Sequence, residues 1–67
     1  MPIVEIKVLS GRDQKVKERL LKNVARAVCD TLEVPPGRVR VLLYEIPSTH
    51  WMVGDQAKNT LSKHMEE

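Results

Sequence analysis

Alternating apolar and polar residues open the chain and predict a β-strand over residues Ile3–Leu9. One face carries β-branched or aliphatic side chains and the other carries charges, with Val4, Ile6 and Val8 opposing Glu5 and Lys7. A period of two with β-branched residues is typical of a half-buried strand. Residues 10–13 have the composition of a turn, and Asp13 suits the N-cap of a following helix.

The apolar period changes to that of an α-helix over residues Gln14–Leu32. Apolar residues recur every four positions and two more widen the stripe: Val16, Leu20, Val24, Val28 and Leu32, with Leu21 and Ala27. Such a stripe predicts an amphipathic helix that packs one face against a sheet. Cys29 lies beside the stripe, and we interpret it as a small packing residue and not as a nucleophile.

A second strand is predicted from about residue 38 to residue 46. Two prolines and a glycine at 35–37 end the helix, and Pro47 ends the strand. One face carries Val39, Val41 and Leu43, and the other carries Arg38, Arg40, Leu42 and Tyr44. Residues 50–54 are compatible with a short strand or hairpin, and the polar tail from residue 56 with a helical turn.

Strand, helix and strand make a β-α-β unit, so the fold class is α/β, or α+β in some schemes. The two strands should be parallel with a right-handed crossover. We expect one domain over residues 1–67, because a chain of 67 residues has no room for a second. So small a domain buries only about 60% of the surface that its unfolded chain exposes. We therefore expect an oligomer, which would cover the open sheet face and strand edges.

Composition excludes several classes of function. Cys29 is the only cysteine and the two histidines lie far apart, so we expect neither a disulfide framework nor a metal site. The net charge of +2 gives no general case for nucleic acid or membrane binding. We find no apolar run of about 20 residues and no signal peptide, and we expect a cytoplasmic protein.

The second residue carries the most distinctive chemistry. If Met1 is removed, Pro2 presents a secondary amine at the first position of a strand, where proline is tolerated. An unperturbed α-amino group has a pKa of roughly 7.7–8.0, and burial or nearby cations lower that pKa further. A neutral amine near working pH is suited to act as a general base. On its own the feature is weak, because many chains begin Met-Pro.

Several features together resemble the 4-oxalocrotonate tautomerase family. They run ungapped from Pro2 to about Gly54 and comprise Met1-Pro2-Ile3, Leu9-Ser10-Gly11-Arg12, Pro35, Val39-Arg40-Val41 and His50-Trp51. A terminal proline, a Gly-Arg turn, an arginine on the second strand and a late aromatic residue are fairly specific at these separations in so short a chain.

The resemblance implies a homohexamer, a trimer of dimers, that moves a proton on small 2-oxo or enol acids without metal or cofactor. Pro2 would be the base, and Arg40 would bind the carboxylate and 2-oxygen of the substrate. Arg12 of a neighbouring subunit would hold the far carboxylate of a dicarboxylate. Trp51 would wall the site in place of the usual phenylalanine, and Leu9 would pack near the substrate.

Elementary chemistry agrees with these roles. An enolate forms when a base acts next to a carbonyl, and its oxygen needs a facing cation or donor. A guanidinium group donates two hydrogen bonds at once to a carboxylate. By themselves Arg12 and Arg40 would be interpreted as exposed residues and Trp51 as a packing residue. Arg38 shares the face of Arg40 and would add positive charge to the site.

The chain departs from the family pattern after the aromatic residue. A glycine-rich turn is expected there, and this sequence has Met52-Val53-Gly54-Asp55. Met52 and Asp55 would reshape the mouth of the pocket or a subunit contact. The leading hypothesis is a tautomerase for a 2-hydroxydienoate, such as 2-hydroxymuconate from the breakdown of aromatic compounds.

Other hypotheses remain open. One is a subunit that is inactive, or active only within a mixed hexamer. Another is a different reaction of an N-terminal proline: phenylpyruvate tautomerisation, decarboxylation or dehalogenation. Dehalogenation would need an acidic residue to activate water, for which Glu5 and Glu45 are candidates only by composition. A DNA-binding dimer that uses Arg38 and Arg40 is disfavoured, because Leu42 and Tyr44 share their strand face and the net charge is low.

Overall fold

Two parallel strands and one long helix form the centre of the subunit. A computed structural model describes residues 1–58 of the chain. Strand β1 spans Ile3–Leu9, helix α1 spans Gln14–Leu32 and strand β2 spans Arg40–Ile46. β1 and β2 pair in parallel along their whole length, from Ile3 opposite Arg40 to Leu9 opposite Ile46. The β-α-β unit predicted from the sequence is confirmed.

Strand β2 begins two residues later than the sequence predicts. A turn of 3₁₀ helix occupies Pro36–Arg38, closed by hydrogen bonds from the Arg38 N–H to the Pro35 carbonyl (3.0 Å) and from the Val39 N–H to the Pro36 carbonyl (3.1 Å). Proline favours the first position of a helical turn, because its fixed φ suits the turn and its missing N–H is not needed there. Arg38 therefore lies in this turn and not on the strand.

A small hairpin follows β2. A second 3₁₀ turn spans Ser48–His50, and strands β3 (Met52–Val53) and β4 (Gln56–Ala57) then pair antiparallel. Gly54 lies in the two-residue turn between them with φ of 62°, a region that glycine enters at little cost. The hairpin alternative considered for residues 50–54 is correct. The helical turn considered from residue 56 is wrong at Gln56–Ala57, because these residues pair with β3 as a strand, and the tail beyond residue 58 lies outside the described residues.

The helix begins and ends at the predicted residues. Asp13 occupies the N-cap position, although its side chain makes no capping hydrogen bond. An ion pair of 2.8 Å between Lys17 Nζ and Glu45 Oε2 links the first turn of the helix to the end of β2. Of the two residues predicted to widen the apolar stripe, Leu21 is half-buried but Ala27 is exposed, and Ala25 takes a half-buried position instead.

The apolar side chains between helix and sheet are only partly covered. Within residues 1–58, Val39 (8% exposed) is the only buried hydrophobic residue; Val16 (39%) and Leu32 (56%) of the predicted helix stripe are exposed, and its other members between them are half-buried apart from Ala27. On the sheet face opposite the helix, three large apolar side chains are exposed: Ile3 (60%), Leu42 (42%) and Tyr44 (43%). One subunit alone therefore leaves much of its apolar surface in contact with water, at a cost that grows with that area.

Replacement of Glu33 by glycine should stabilise the protein. Glu33 caps the helix in the left-handed region (φ 57°, ψ 51°), with its N–H donating to the Cys29 carbonyl. That region costs an L-residue about 1–2 kcal/mol, and the greater freedom of glycine in the unfolded chain offsets part of the gain. We expect Glu33→Gly to raise the free energy of unfolding by about 0.5–1 kcal/mol, measured by urea denaturation at a fixed protein concentration.

Asn23→Gly is the matched control, because it places glycine at an exposed position in the middle of the same helix. There the substitution should lower the free energy of unfolding by roughly 0.3 kcal/mol, the difference in helix propensity between asparagine and glycine. Destabilisation by both glycines would contradict the left-handed geometry at Glu33.

Candidate active site

The register of the two parallel strands places Pro2 beside Arg40. Ile3 lies opposite Arg40, and the Arg40 N–H donates a hydrogen bond of 3.1 Å to the Pro2 carbonyl. Pro2 is half-buried, and Arg40 is exposed. The predicted base and the predicted cation therefore lie on neighbouring strands at the same end of the sheet.

The Arg40 side chain is held by backbone carbonyls. Its Nη1 donates to the Gly37 carbonyl at 2.8 Å and, more weakly, to the Val39 carbonyl at 3.3 Å. Arg38 is also exposed, and among residues 1–58 its side chain has no hydrogen-bond partner. We call Pro2, Arg38 and Arg40 the base end of the subunit.

The other three predicted residues lie where the strands finish. Arg12 Nη1 donates to the Leu9 carbonyl at 3.1 Å, at the last paired residue of β1. Trp51 follows the 3₁₀ turn after β2, is half-buried, and accepts a hydrogen bond of 2.7 Å from the Lys58 N–H through its carbonyl. Because parallel strands finish at the same edge, Leu9 and Arg12 lie at the edge where β2 also ends, shortly before Trp51 in the chain, and we call these three residues the far end.

The two ends of one subunit are too far apart to share one small substrate. The seven residues of β1 separate them and span roughly 23 Å. A cavity of about 300 Å³ lies elsewhere, between the second half of α1 and the first 3₁₀ turn, and Lys22, Ala25, Arg26, Cys29, Asp30 and Pro36 line it. None of the six predicted site residues lines this cavity. A complete site would therefore need residues from more than one subunit.

Met1 controls the chemistry available at the base end. Its side chain is 75% exposed and it precedes Pro2 in the chain. While Met1 is attached, the Pro2 nitrogen is a tertiary amide whose lone pair is delocalised into the carbonyl group. The nitrogen can accept a proton only after Met1 has been removed.

The acidic residues proposed for water activation are engaged in other contacts. Glu45 pairs with Lys17, and Glu5 Oε2 accepts a hydrogen bond of 3.3 Å from the Tyr44 hydroxyl. Lys7 Nζ lies 5.5 Å from the centre of the Tyr44 ring, a cation–π contact on the exposed sheet face. The alternating pattern puts Glu5 and Lys7 of β1 on one face and Tyr44 on one face of β2. The Glu5–Tyr44 pairing depends on the register of the two strands, which the sequence does not give.

Metal-binding clusters and membrane-spanning helices are both absent from residues 1–58. Residues 1–58 contain no cluster of three His, Cys, Asp or Glu side chains that could hold a metal ion. The same residues contain no helix that is long and apolar enough to cross a membrane.

With this geometry in view, comparison with known proteins identifies the class. The family model for tautomerase enzymes matches residues 2–61, and the chain belongs to the tautomerase family. A 2-hydroxymuconate tautomerase of Pseudomonas fluorescens is 35% identical over 63 residues, which cover 94% of this chain and all of that protein. The family, the fold and the isomerase class predicted from the sequence are confirmed.

Solved structures give the same result. A chain of the heterohexamer 4-oxalocrotonate tautomerase from Chloroflexus aurantiacus J-10-fl is 33% identical, with a TM-score of 0.85 over 91% of this chain and 98% of that one. A 4-oxalocrotonate tautomerase isozyme from Methylibium petroleiphilum is 30% identical, with a TM-score of 0.86 over 96% and 100%. The roles of the six site residues stay predictions.

Proposed function

We propose that this protein is a cofactor-independent tautomerase for a 2-hydroxydienoate or 2-oxo acid, with Pro2 as the general base. The observation that carries the proposal is the register that sets Pro2 beside Arg40, joined by a backbone hydrogen bond of 3.1 Å. The name of the Pseudomonas fluorescens relative supports 2-hydroxymuconate as the first substrate to test. The test is ketonisation of 2-hydroxymuconate by protein that lacks Met1.

The reaction requires only a base and a cation. The Pro2 nitrogen accepts the proton of the 2-hydroxyl group, the electron pair moves through the conjugated double bonds, and a remote carbon takes up the proton. Negative charge on the 2-oxygen and the neighbouring carboxylate faces Arg40, whose guanidinium group donates two hydrogen bonds at once. The positive charges of Arg40 and Arg38 also favour the neutral, basic form of the Pro2 amine.

The far carboxylate of a dicarboxylate would be held by Arg12 of another subunit. Within one subunit the length of β1 keeps Arg12 roughly 23 Å from Pro2, far beyond the reach of a six-carbon acid. Leu9 and Trp51 would accompany Arg12 and exclude water, which strengthens the charge interactions inside the site. The proposal therefore includes self-association, with a homohexamer built as a trimer of dimers as the expected form. The exposed apolar sheet face supports it.

A partner-dependent subunit is the second candidate. It is favoured by the similarity to a chain of a heterohexamer 4-oxalocrotonate tautomerase. Dehalogenation is disfavoured, because Glu5 and Glu45 are held by Tyr44 and Lys17. The proposal also places the enzyme in the cytoplasm, where the single Cys29 would stay reduced.

Substitution of Pro2 or Arg40 should give a different kinetic result from substitution of Arg12. Pro2→Ala should lower kcat by about 100-fold, because the primary amine that it leaves differs from the ring nitrogen in position and basicity. Arg40→Ala should lower kcat by about 100-fold as well, because it faces charge that develops in the transition state. Arg12→Ala should mainly raise KM, by about tenfold, because it binds a group that does not react. Steady-state kinetics with 2-hydroxymuconate separate these outcomes, and a fully active Pro2→Ala protein would rule out the mechanism.

Mixed oligomers test the contribution of two subunits to each site. Subunits that carry Pro2→Ala and subunits that carry Arg12→Ala are unfolded together at a 1:1 ratio and refolded. If each site combines the base end of one subunit with the far end of another, about a quarter of the sites regain both residues. Activity should rise above that of either variant refolded alone. No recovery, in oligomers shown by native mass spectrometry to be mixed, would contradict the shared site.

The state of the N-terminus separates the two candidates. The intact mass of protein purified from its natural source should lack Met1, and a 2-oxo-3-pentynoate-type electrophile should add one adduct to Pro2, because a free neutral amine is nucleophilic. Protein purified with Met1 attached should form no adduct at this position and serves as the control. Retention of Met1 in the natural protein would favour the partner-dependent subunit.

A further inference from the structure

The turn that precedes β2 presents one backbone carbonyl to the Arg40 side chain. Two hydrogen bonds close the turn, from the Arg38 N–H to the Pro35 carbonyl and from the Val39 N–H to the Pro36 carbonyl. Two adjacent prolines restrict the backbone there further, since each ring fixes φ near −65°. The carbonyl between them and the strand, that of Gly37, is left to accept the bond of 2.8 Å from Arg40 Nη1.

This bond leaves the remaining edges of the guanidinium group available. Arginine has five N–H donors in a planar fork, and Nη1 supplies only two of them. With Nη1 bonded to the Gly37 and Val39 carbonyls, the edge formed by Nε and Nη2 can still bind a carboxylate through two parallel bonds. Among residues 1–58, the side chain of the neighbouring Arg38 has no such anchor.

The backbone of Arg40 is also hydrogen-bonded to Pro2, the residue that carries the base. The Arg40 N–H donates to the Pro2 carbonyl, so one residue is bonded through its backbone to the strand that carries the base and through its side chain to the turn. A long, flexible side chain loses entropy when it is immobilised by a ligand, and that loss is smaller if the protein already holds it in place.

We propose that the Gly37 carbonyl positions Arg40 for the substrate carboxylate. It fixes Nη1 and leaves the Nε–Nη2 edge to bind the carboxylate. The inference rests on the proposed function and deepens it, by assigning a positioning role to a backbone atom of the Pro35–Arg38 segment. Arg40 remains the group that contacts the substrate, and Gly37 acts through it.

The test replaces a single atom. A chain of this size is accessible to chemical synthesis, which can begin it at Pro2 and convert the Gly37 carbonyl to a thioamide. Sulfur is a weaker and longer acceptor than oxygen, so the anchor is weakened without any change of side chain. We expect kcat/KM for 2-hydroxymuconate to fall about tenfold, in line with the loss of one hydrogen bond to a charged group, and part of the fall should be in kcat, because Arg40 faces charge that develops in the transition state. The unmodified synthetic chain is the control.

A nuclear magnetic resonance readout tests the anchor independently of activity. Rotation of the Arg40 Nη1 group about its bond to Cζ should be slow in the unmodified protein and at least tenfold faster in the thioamide protein, while rotation at Arg38 should be fast in both. Gly37→Ala keeps the carbonyl, and a Cβ there meets no heavy atom within 4 Å, so slow rotation at Arg40 should persist.

The outcomes separate the inference from the proposed function. Fast rotation at Arg40 in the unmodified protein, or a thioamide protein with unchanged kcat/KM, would overturn the positioning role. Slow rotation at Arg40 with no turnover of 2-hydroxymuconate by the unmodified protein would overturn the proposed function and leave the anchor supported.

Discussion

The parallel pairing of β1 with β2 is the constraint on which the rest of the molecule depends. Parallel strands begin at one edge and finish at the other, so the pairing gathers Pro2 and Arg40 at one end and Leu9 and Arg12 at the other. No single side chain makes this arrangement. It follows from a right-handed crossover through α1 and from a register that sets Ile3 against Arg40.

The incomplete core follows from the same small unit. Two strands and one helix cover only one face of the sheet, and the other face exposes Ile3, Leu42 and Tyr44. A chain of this size buries only about 60% of the surface that its unfolded form exposes, so its own core stabilises it only marginally. Stability and the assembly of the proposed site thus have the same physical requirement, which is contact between subunits.

Much of the fold could be predicted because local and global signals agree. The alternation of apolar and polar residues predicts β1, and the recurrence of apolar residues every four positions predicts α1 with its bounds. The two prolines and the glycine at 35–37 predict the break between the helix and the next strand. The exact start of β2 was missed, because Pro35 and Pro36 admit both an extended segment and a 3₁₀ turn. The competing hydrogen bonds of Arg38 and Val39 decide between these two conformations.

The candidate site was less accessible to prediction. Pro2, Arg12, Arg40 and Trp51 were named from their chemistry and from a family resemblance, but the alternating pattern could not show which of them lie together. The hydrogen bonds of the two guanidinium groups go to backbone carbonyls of Leu9 and Gly37. Backbone carbonyls are the same in every residue, so neither composition nor spacing predicts which of them will accept a hydrogen bond from an arginine.

The length of β1 also limits how such a protein can diverge. One residue inserted into the strand would lengthen it by about 3.3 Å and turn every later side chain to the opposite face of the sheet. The hairpin around Gly54 tolerates such changes, because it is exposed and a chain reversal there alters no other register. The length of β1 therefore fixes both the separation of the two ends of the subunit and the face on which each side chain lies, whereas a change of length in the hairpin leaves the pairing of β1 with β2 unaltered.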